Sequence, residues 1–193
     1  MGRKVKFFLK FFYGYGILYL KKGYITYPRE NRLYMERNML AIHPFAPVYD
    51  RNSRILILGS MPSIKSRETG FYYGHPRNRF WKVTAAVMEC PVPQSVEEKK
   101  RFLLVNGIAL WDVVSSCEIK NSSDSSIRNV SVNDLGVIFS CADIHTVFTN
   151  GKTADSLYRK YFGENAVCLP STSPANAAMT LEKLIAAWRC IRF

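Results

Sequence analysis

The 193-residue sequence is poor in the residues that build metal centres and disulfide frameworks. Its five cysteines, Cys90, Cys117, Cys141, Cys168 and Cys190, are odd in number, lie more than twenty residues apart and form no C-x-x-C pair. That pattern argues against zinc, an iron–sulfur cluster or a disulfide scaffold. Most sit in or beside apolar runs, where a reduced cysteine behaves as a small hydrophobe, so a reducing cytoplasm is the expected location. The three histidines, His43, His75 and His145, are scattered among different contexts, which argues against a histidine-based metal site. No metal and no cofactor are expected. Acidic residues are also scarce: 27 Lys and Arg face 15 Asp and Glu, a net charge of +12. An excess of that size favours a polyanionic partner, nucleic acid or an anionic membrane. A membrane-spanning run is lacking, because the most apolar stretch, Lys6 to Tyr27, is interrupted by Lys10, Lys21 and Lys22 and is followed by no small-residue cleavage site. Internal repeats and low-complexity tracts are absent as well.

The length suits one core with an appendage. Residues 1–40 hold nine of the basic residues against two Glu, leaving eighteen against thirteen in the remainder. This extension is open to three readings: an arm that touches nucleic acid or membrane, a poorly ordered terminus, or translated sequence upstream of a start at Met35 or Met39. Residues 41–193 form the expected domain, which is expected to act as a monomer.

From Arg54 onward short β-branched runs alternate with helical periods, the mark of an α/β layer fold. Arg54 to Gly59 is a continuous apolar run ending in glycine, as expected of a strand buried on both faces. A helix is expected over Phe80 to Glu89 and another after Ser95, where Glu97 and Glu98 suit the positive end and Asn106-Gly107 close it. Further strands are expected at Ile108–Trp111, Ile144–Thr149 and Ala166–Leu169. Helices are expected at Ser131–Ser140, at Thr153–Phe162, and from Pro174 to about Cys190. The segment Ser115–Asn129, rich in Ser, Asn and Asp, reads as a loop. The fold class is therefore α/β, a small four-stranded parallel sheet with helices on both faces in three layers. Such sheets bind ligands at the carboxyl ends of their strands.

Four segments follow those strands and should share one rim: Gly59-Ser60-Met61-Pro62-Ser63, Asp112, Asn150, and Ser171-Thr172-Ser173-Pro174-Ala175-Asn176. Pro174 suits a first helical position and Ser173 the cap before it, an arrangement that binds anions such as a DNA phosphate, although an ordinary capped helix would look the same. The loop Gly70 to Trp81 packs Phe71, Tyr72, Tyr73, His75, Arg77, Asn78 and Arg79 into a short span. Surface loops rarely carry so much aromatic area. Stacking of an extruded base on Phe71, Tyr72 or Tyr73, with Arg77 or Arg79 on phosphate, would use these side chains, whereas Phe80 and Trp81 read as core anchors.

The segment G-S-M-P-S followed by Y-Y-G-H-P-R-N-R-F-W, together with S-T-S-P-A-N, resembles the paired active-site motifs of the uracil-DNA glycosylase superfamily, most closely its hypoxanthine-DNA (deoxyinosine) glycosylase branch. The resemblance covers Ile42 to Arg192. It implies that Gly59, Ser60, Met61 and Ser63 lie against the sugar and base, that Asn78 positions or polarises the attacking water, and that Phe71, Tyr72 and Tyr73 form the stacking face. It implies also that Asp112 stands where relatives keep an asparagine that reads the base edge, and that Ser171 to Asn176 press into the minor groove. Two departures from the family pattern matter. Met61 replaces a polar residue in the first motif and Ser171 replaces the histidine that often opens the second, which shifts the catalytic burden to Asn78. His75 is a candidate donor to the leaving purine. Hydrolysis of deoxyinosine in DNA is the leading expectation. The same scaffold acting on uracil or mismatched pyrimidines, a non-catalytic nucleic-acid-binding module and an anion-binding domain for free nucleotides stay open.

Overall fold

The computed structural model describes residues 39–119 and 127–192, preceded by the short strand segments Phe12–Tyr13, Gly16–Ile17, Tyr19–Lys21 and Tyr24–Thr26. The elements from residue 39 onward are β1 (Met39–Ile42), β2 (Ile55–Gly59), α1 (Ile64–Thr69), α2 (Phe80–Val87), α3 (Val96–Val105), β3 (Ile108–Asp112), β4 (Val114–Ile119), β5 (Arg128–Val132), α4 (Gly136–Phe139), β6 (Thr146–Asn150), α5 (Lys152–Phe162), β7 (Ala166–Leu169) and α6 (Leu181–Trp188).

Four parallel strands in the order β7-β6-β2-β3 form the central sheet. Every residue of β2 and of β3 is buried, which is why their apolar runs do not alternate. Helices complete the α/β/α layers: α3 lies against β3, α5 against β6 and β7, and α2 against α6. The capping box at Ser95 and Glu98 starts α3. Strand order reverses between β2 and β6, since the chain leaves β2 for β3 on one side and later returns to β6 and β7 on the other. In open sheets of this kind ligands bind at such a switch point, beyond the carboxyl ends of the strands.

A second sheet is antiparallel and was not expected. It places Tyr19–Lys21, Tyr24–Thr26, β1, β4 and β5 side by side. Its strands β4 and β5 occupy much of the span read as a loop and the start of the span read as a helix, Ser131–Ser140, of which only the short α4 is helical. Serine and asparagine are poor strand formers in isolation, but cross-strand pairing outweighs propensity here. The division at residue 40 falls inside β1, and Tyr24 pairs with Ala41, so part of the extension borders this sheet. The remainder of the reading for residues 1–38 lies outside the described residues. Among the described residues no helix is long and apolar enough to cross a membrane.

The last helix also begins later than expected. Thr180 caps α6 by accepting from the Lys183 N–H, and residues 170–179 are an irregular loop. Carbonyls that a helix starting at Pro174 would use internally are taken by another residue, Arg79.

Candidate active site

β3 runs through Val113 directly into β4, so Asp112 sits on the seam between the two sheets. The Val113 N–H donates to Gly59 O at 2.9 Å and the Val114 N–H to Ser60 O at 3.0 Å, binding the loop after β2 to this seam. Asn133 Nδ2 donates to the carbonyls of Asp112 and Val114. The Asp112 side chain is 5 % exposed, and its Oδ2 lies 2.9 Å from Nε2 of His43, itself 2 % exposed. Gly59 pairs with Asp112 in register. A Cβ on Gly59 would come within 2.1 Å of Asp112 Oδ1 and 3.1 Å of the Tyr73 hydroxyl, so only glycine lets the carboxylate lie over the strand end. Tyr72 donates to Ala46 O at 3.0 Å. Burial first, and the Asp112 charge second, push its phenol well above the ordinary range, so it stays a donor.

Across the rim, two loops meet. Asn78 Oδ1 accepts from the Phe80 N–H at 3.0 Å and from the Thr172 hydroxyl at 3.1 Å. Thr172 Oγ1 accepts in turn from Asn150 Nδ2 at 2.9 Å, and Asn150 Oδ1 accepts from the Thr172 N–H at 2.9 Å. Thr172 is fully buried. A continuous hydrogen-bonded chain therefore joins the aromatic loop, the carboxyl end of β6 and the serine loop. Both lone-pair directions of Asn78 Oδ1 are occupied, while Nδ2 bonds to nothing among the described residues. Gly151 has φ 98°, and a Cβ there would meet Ser171 Cβ at 2.8 Å, so the backbone conformation and the close approach both require glycine.

The other expected site residues are distributed unevenly. Tyr73, at φ 52°, stacks on Phe80 with ring centroids 3.9 Å apart. Phe71 and Tyr72, expected to offer a stacking face, are instead 6 % and 2 % exposed and belong to the core. An aromatic-rich loop can be rich because it is anchored. Arg79, expected on phosphate, directs its guanidinium inward to the carbonyls of Thr172, Ser173 at 2.7 Å, Asn176 at 2.9 Å and Met179. Ser173 and Pro174 lie in that loop and not at a helix start. The Ala175 N–H donates to Ser173 Oγ at 3.2 Å, the Ser173 N–H to Ser171 Oγ at 3.2 Å, and Asn176 Nδ2 to Ser171 O at 2.9 Å. Met61 is buried, Ser60 is half-buried, and Ser63 caps α1. His75 Nδ1 accepts from the Arg77 N–H at 3.1 Å, which leaves Nε2 as the protonated nitrogen of a neutral ring. The Arg77 guanidinium is exposed and bonds to nothing among the described residues. His43 was missed: it is 69 residues from Asp112 and reaches it only across the unexpected sheet.

A model of the uracil DNA glycosylase superfamily matches residues 46–192. The chain is 37 % identical over 137 residues to a hypoxanthine DNA glycosylase of Methanosarcina acetivorans, covering 68 % of this chain and 86 % of that protein. It is 33 % identical to a hypoxanthine DNA glycosylase of Methanosarcina barkeri over the same shares of the two chains. A solution NMR structure from Methanosarcina acetivorans, described as a candidate uracil DNA glycosylase, superposes with a TM-score of 0.64 at 31 % identity, covering 82 % of this chain and 99 % of that one.

Proposed function

Because the chain belongs to the uracil DNA glycosylase superfamily, we propose that residues 41–193 form a glycosylase unit that removes hypoxanthine from deoxyinosine in DNA. The observation that carries this reading is the Asn78–Thr172–Asn150 chain, which holds both motif loops together at the switch point of the sheet. One extruded base is proposed to bind beside this junction. We propose that the unit acts on DNA as a monomer.

In the reaction the C1′–N9 bond breaks with its electron pair passing to the purine, and water adds to the electron-poor sugar. Such a sugar captures water readily. The larger demand on the protein is to receive the negative charge that leaves with the base, and fixed donors do this best. Asn78 was expected to orient water with its amide oxygen, but that oxygen already serves two protein donors. Its Nδ2 donors are what remain for substrate, and we assign them to the departing base. His75 Nε2 is assigned the role of a donor to the same base or to a neighbouring phosphate. Asp112 accepts from the base edge, Tyr73 and the backbone of Gly59, Ser60 and Met61 border that base, and Asn150 orders the junction through Thr172. Ser63 and Arg77 contact phosphate, and Ser171 to Asn176 enter the minor groove. Arg79 acts from behind, as the clamp on that loop.

Incubation with a deoxyinosine duplex followed by alkaline cleavage, beside a deoxyuridine duplex, tests the reading. Strand cleavage is expected at inosine. Asn78→Ala and Asn78→Asp should both lower single-turnover excision about 100-fold or more, on the scale of one lost charge-stabilising donor, because aspartate keeps the acceptors and loses the donor. An Asn78→Asp variant as active as the parent would overturn the donor role. No cleavage of either duplex would overturn the function.

A further inference from the structure

Asp112 is a carboxylate on a base-reading rim, and its orientation is set by a histidine from the other sheet. The Phe45 N–H donates to His43 Nδ1 at 3.2 Å, so the ring carries its proton on Nε2 when neutral and directs it at Asp112 Oδ2, 2.9 Å away. The ring is held between the edge of Phe45, at 5.7 Å between centroids, and Tyr72, at 5.9 Å. Its backbone is fixed to the second sheet through the His43 N–H to Ser115 O bond of 2.8 Å. Asp112 Oδ1 is thereby left over Gly59, on the same side of the strand end as the Tyr73 hydroxyl. Nothing else in the proposed mechanism uses His43.

Deamination gives this arrangement its meaning. Adenine carries an acceptor at N1, whereas hypoxanthine carries an N1–H donor. A carboxylate pinned by an N–H on one oxygen presents its other oxygen purely as an acceptor, which matches hypoxanthine and opposes the N1 lone pair of adenine. A mismatched buried polar group carries a large penalty, so this is where discrimination can be strong. We infer that His43 is a positioning residue that holds the Asp112 carboxylate as a fixed acceptor for the N1–H of the extruded base, and so helps select hypoxanthine over adenine.

The inference rests on the proposed glycosylase activity. It is tested by pairing His43 variants with a substrate lacking one atom group. Single-turnover excision is measured on duplexes containing deoxyinosine or 1-deazadeoxyinosine, in which C–H replaces N1–H and the displaced proton resides on O6 or N3. The parent protein should favour deoxyinosine by about tenfold or more, the size of one good hydrogen bond to a charged group. His43→Phe, which fills the space without a donor, should lower that ratio several-fold from the parental value. His43→Gln, whose amide N–H can reach Asp112, should restore most of it. Affinity for undamaged duplex should be the same in all three. If His43→Phe does not fold, His43→Asn, too short to reach, takes its place. An unchanged ratio in a folded His43→Phe or His43→Asn protein overturns the inference while leaving the activity intact. A ratio near one in the parent itself overturns the N1–H contact. A parent that excises neither base overturns the glycosylase reading and the inference together.

Discussion

The two loops that meet at the rim are held by different physics. The aromatic loop, residues 70–81, is anchored by burial: Phe71 stacks on Trp81, Tyr73 on Phe80, and Trp81 Nε1 donates to Tyr72 O. The serine loop, residues 170–179, buries little apolar surface of its own. It is held at one end by Trp188 Nε1 on Pro170 O, in the middle by Thr172 and Asn150, and along its length by the guanidinium of Arg79. Apolar anchoring spreads stabilisation over many weak contacts. Polar anchoring concentrates it in a few directional bonds, so that one substitution can release the whole segment. The aromatic loop is therefore the rigid wall of the site. The serine loop takes its rigidity from that wall through Arg79 and Thr172, which suits a segment proposed to enter a groove of DNA.

The largest break in this contrast should come from Arg79→Met, which keeps the aliphatic length and removes the donors to four carbonyls. About 3 kcal/mol of stability should be lost, the scale of charged hydrogen bonds to buried acceptors, and excision should fall about 100-fold, read by thermal unfolding and single-turnover kinetics. A variant of near-parental activity would show that the loop holds itself. Thr172→Val should cost about 1 to 2 kcal/mol, because the Asn150 amide loses its acceptor and Asn78 Oδ1 one of its donors. Its effect on excision should exceed its effect on stability, and equal losses would place the chain outside the reaction. Smallest of all, Phe71→Leu should cost about 1 kcal/mol and leave excision near the parental rate, because a similar apolar volume remains in the core. A large loss of rate there would restore Phe71 to the stacking face that its burial denies it.

The strands and the motif loops were legible in residue order, but how each loop is held was not. The central strands were readable because parallel strands buried on both faces leave uninterrupted apolar runs, as in Ile55–Gly59. The motif loops were readable because His75, Asn78, Ser171 and Asn176 cluster where strands end. The burial of Phe71 and Tyr72 was not, since an aromatic side chain looks the same whether it faces solvent, a base or a core. Pro174 suggested a helix start for sound local reasons, but the Ser173 carbonyl that would accept the fourth N–H along is taken by Arg79 and by Asn176, and α6 starts instead at Leu181. The second sheet went unread because Ser115, Ser116 and Ser131 are strand residues only when β1 and β5 lie alongside β4.

By itself, residue order determined the layered α/β class, the family resemblance, and the set of chemical groups gathered at the carboxyl rim, because those depend on periodicity and on short contiguous motifs. The tertiary structure alone decided which of those groups face inward, that Arg79 clamps a loop and does not reach for phosphate, and that His43 stands against Asp112. Each of these is a pairing across tens of residues, and hydrogen-bond partners at that separation are chosen by the packing of whole sheets and helices, not by any neighbourhood in the chain.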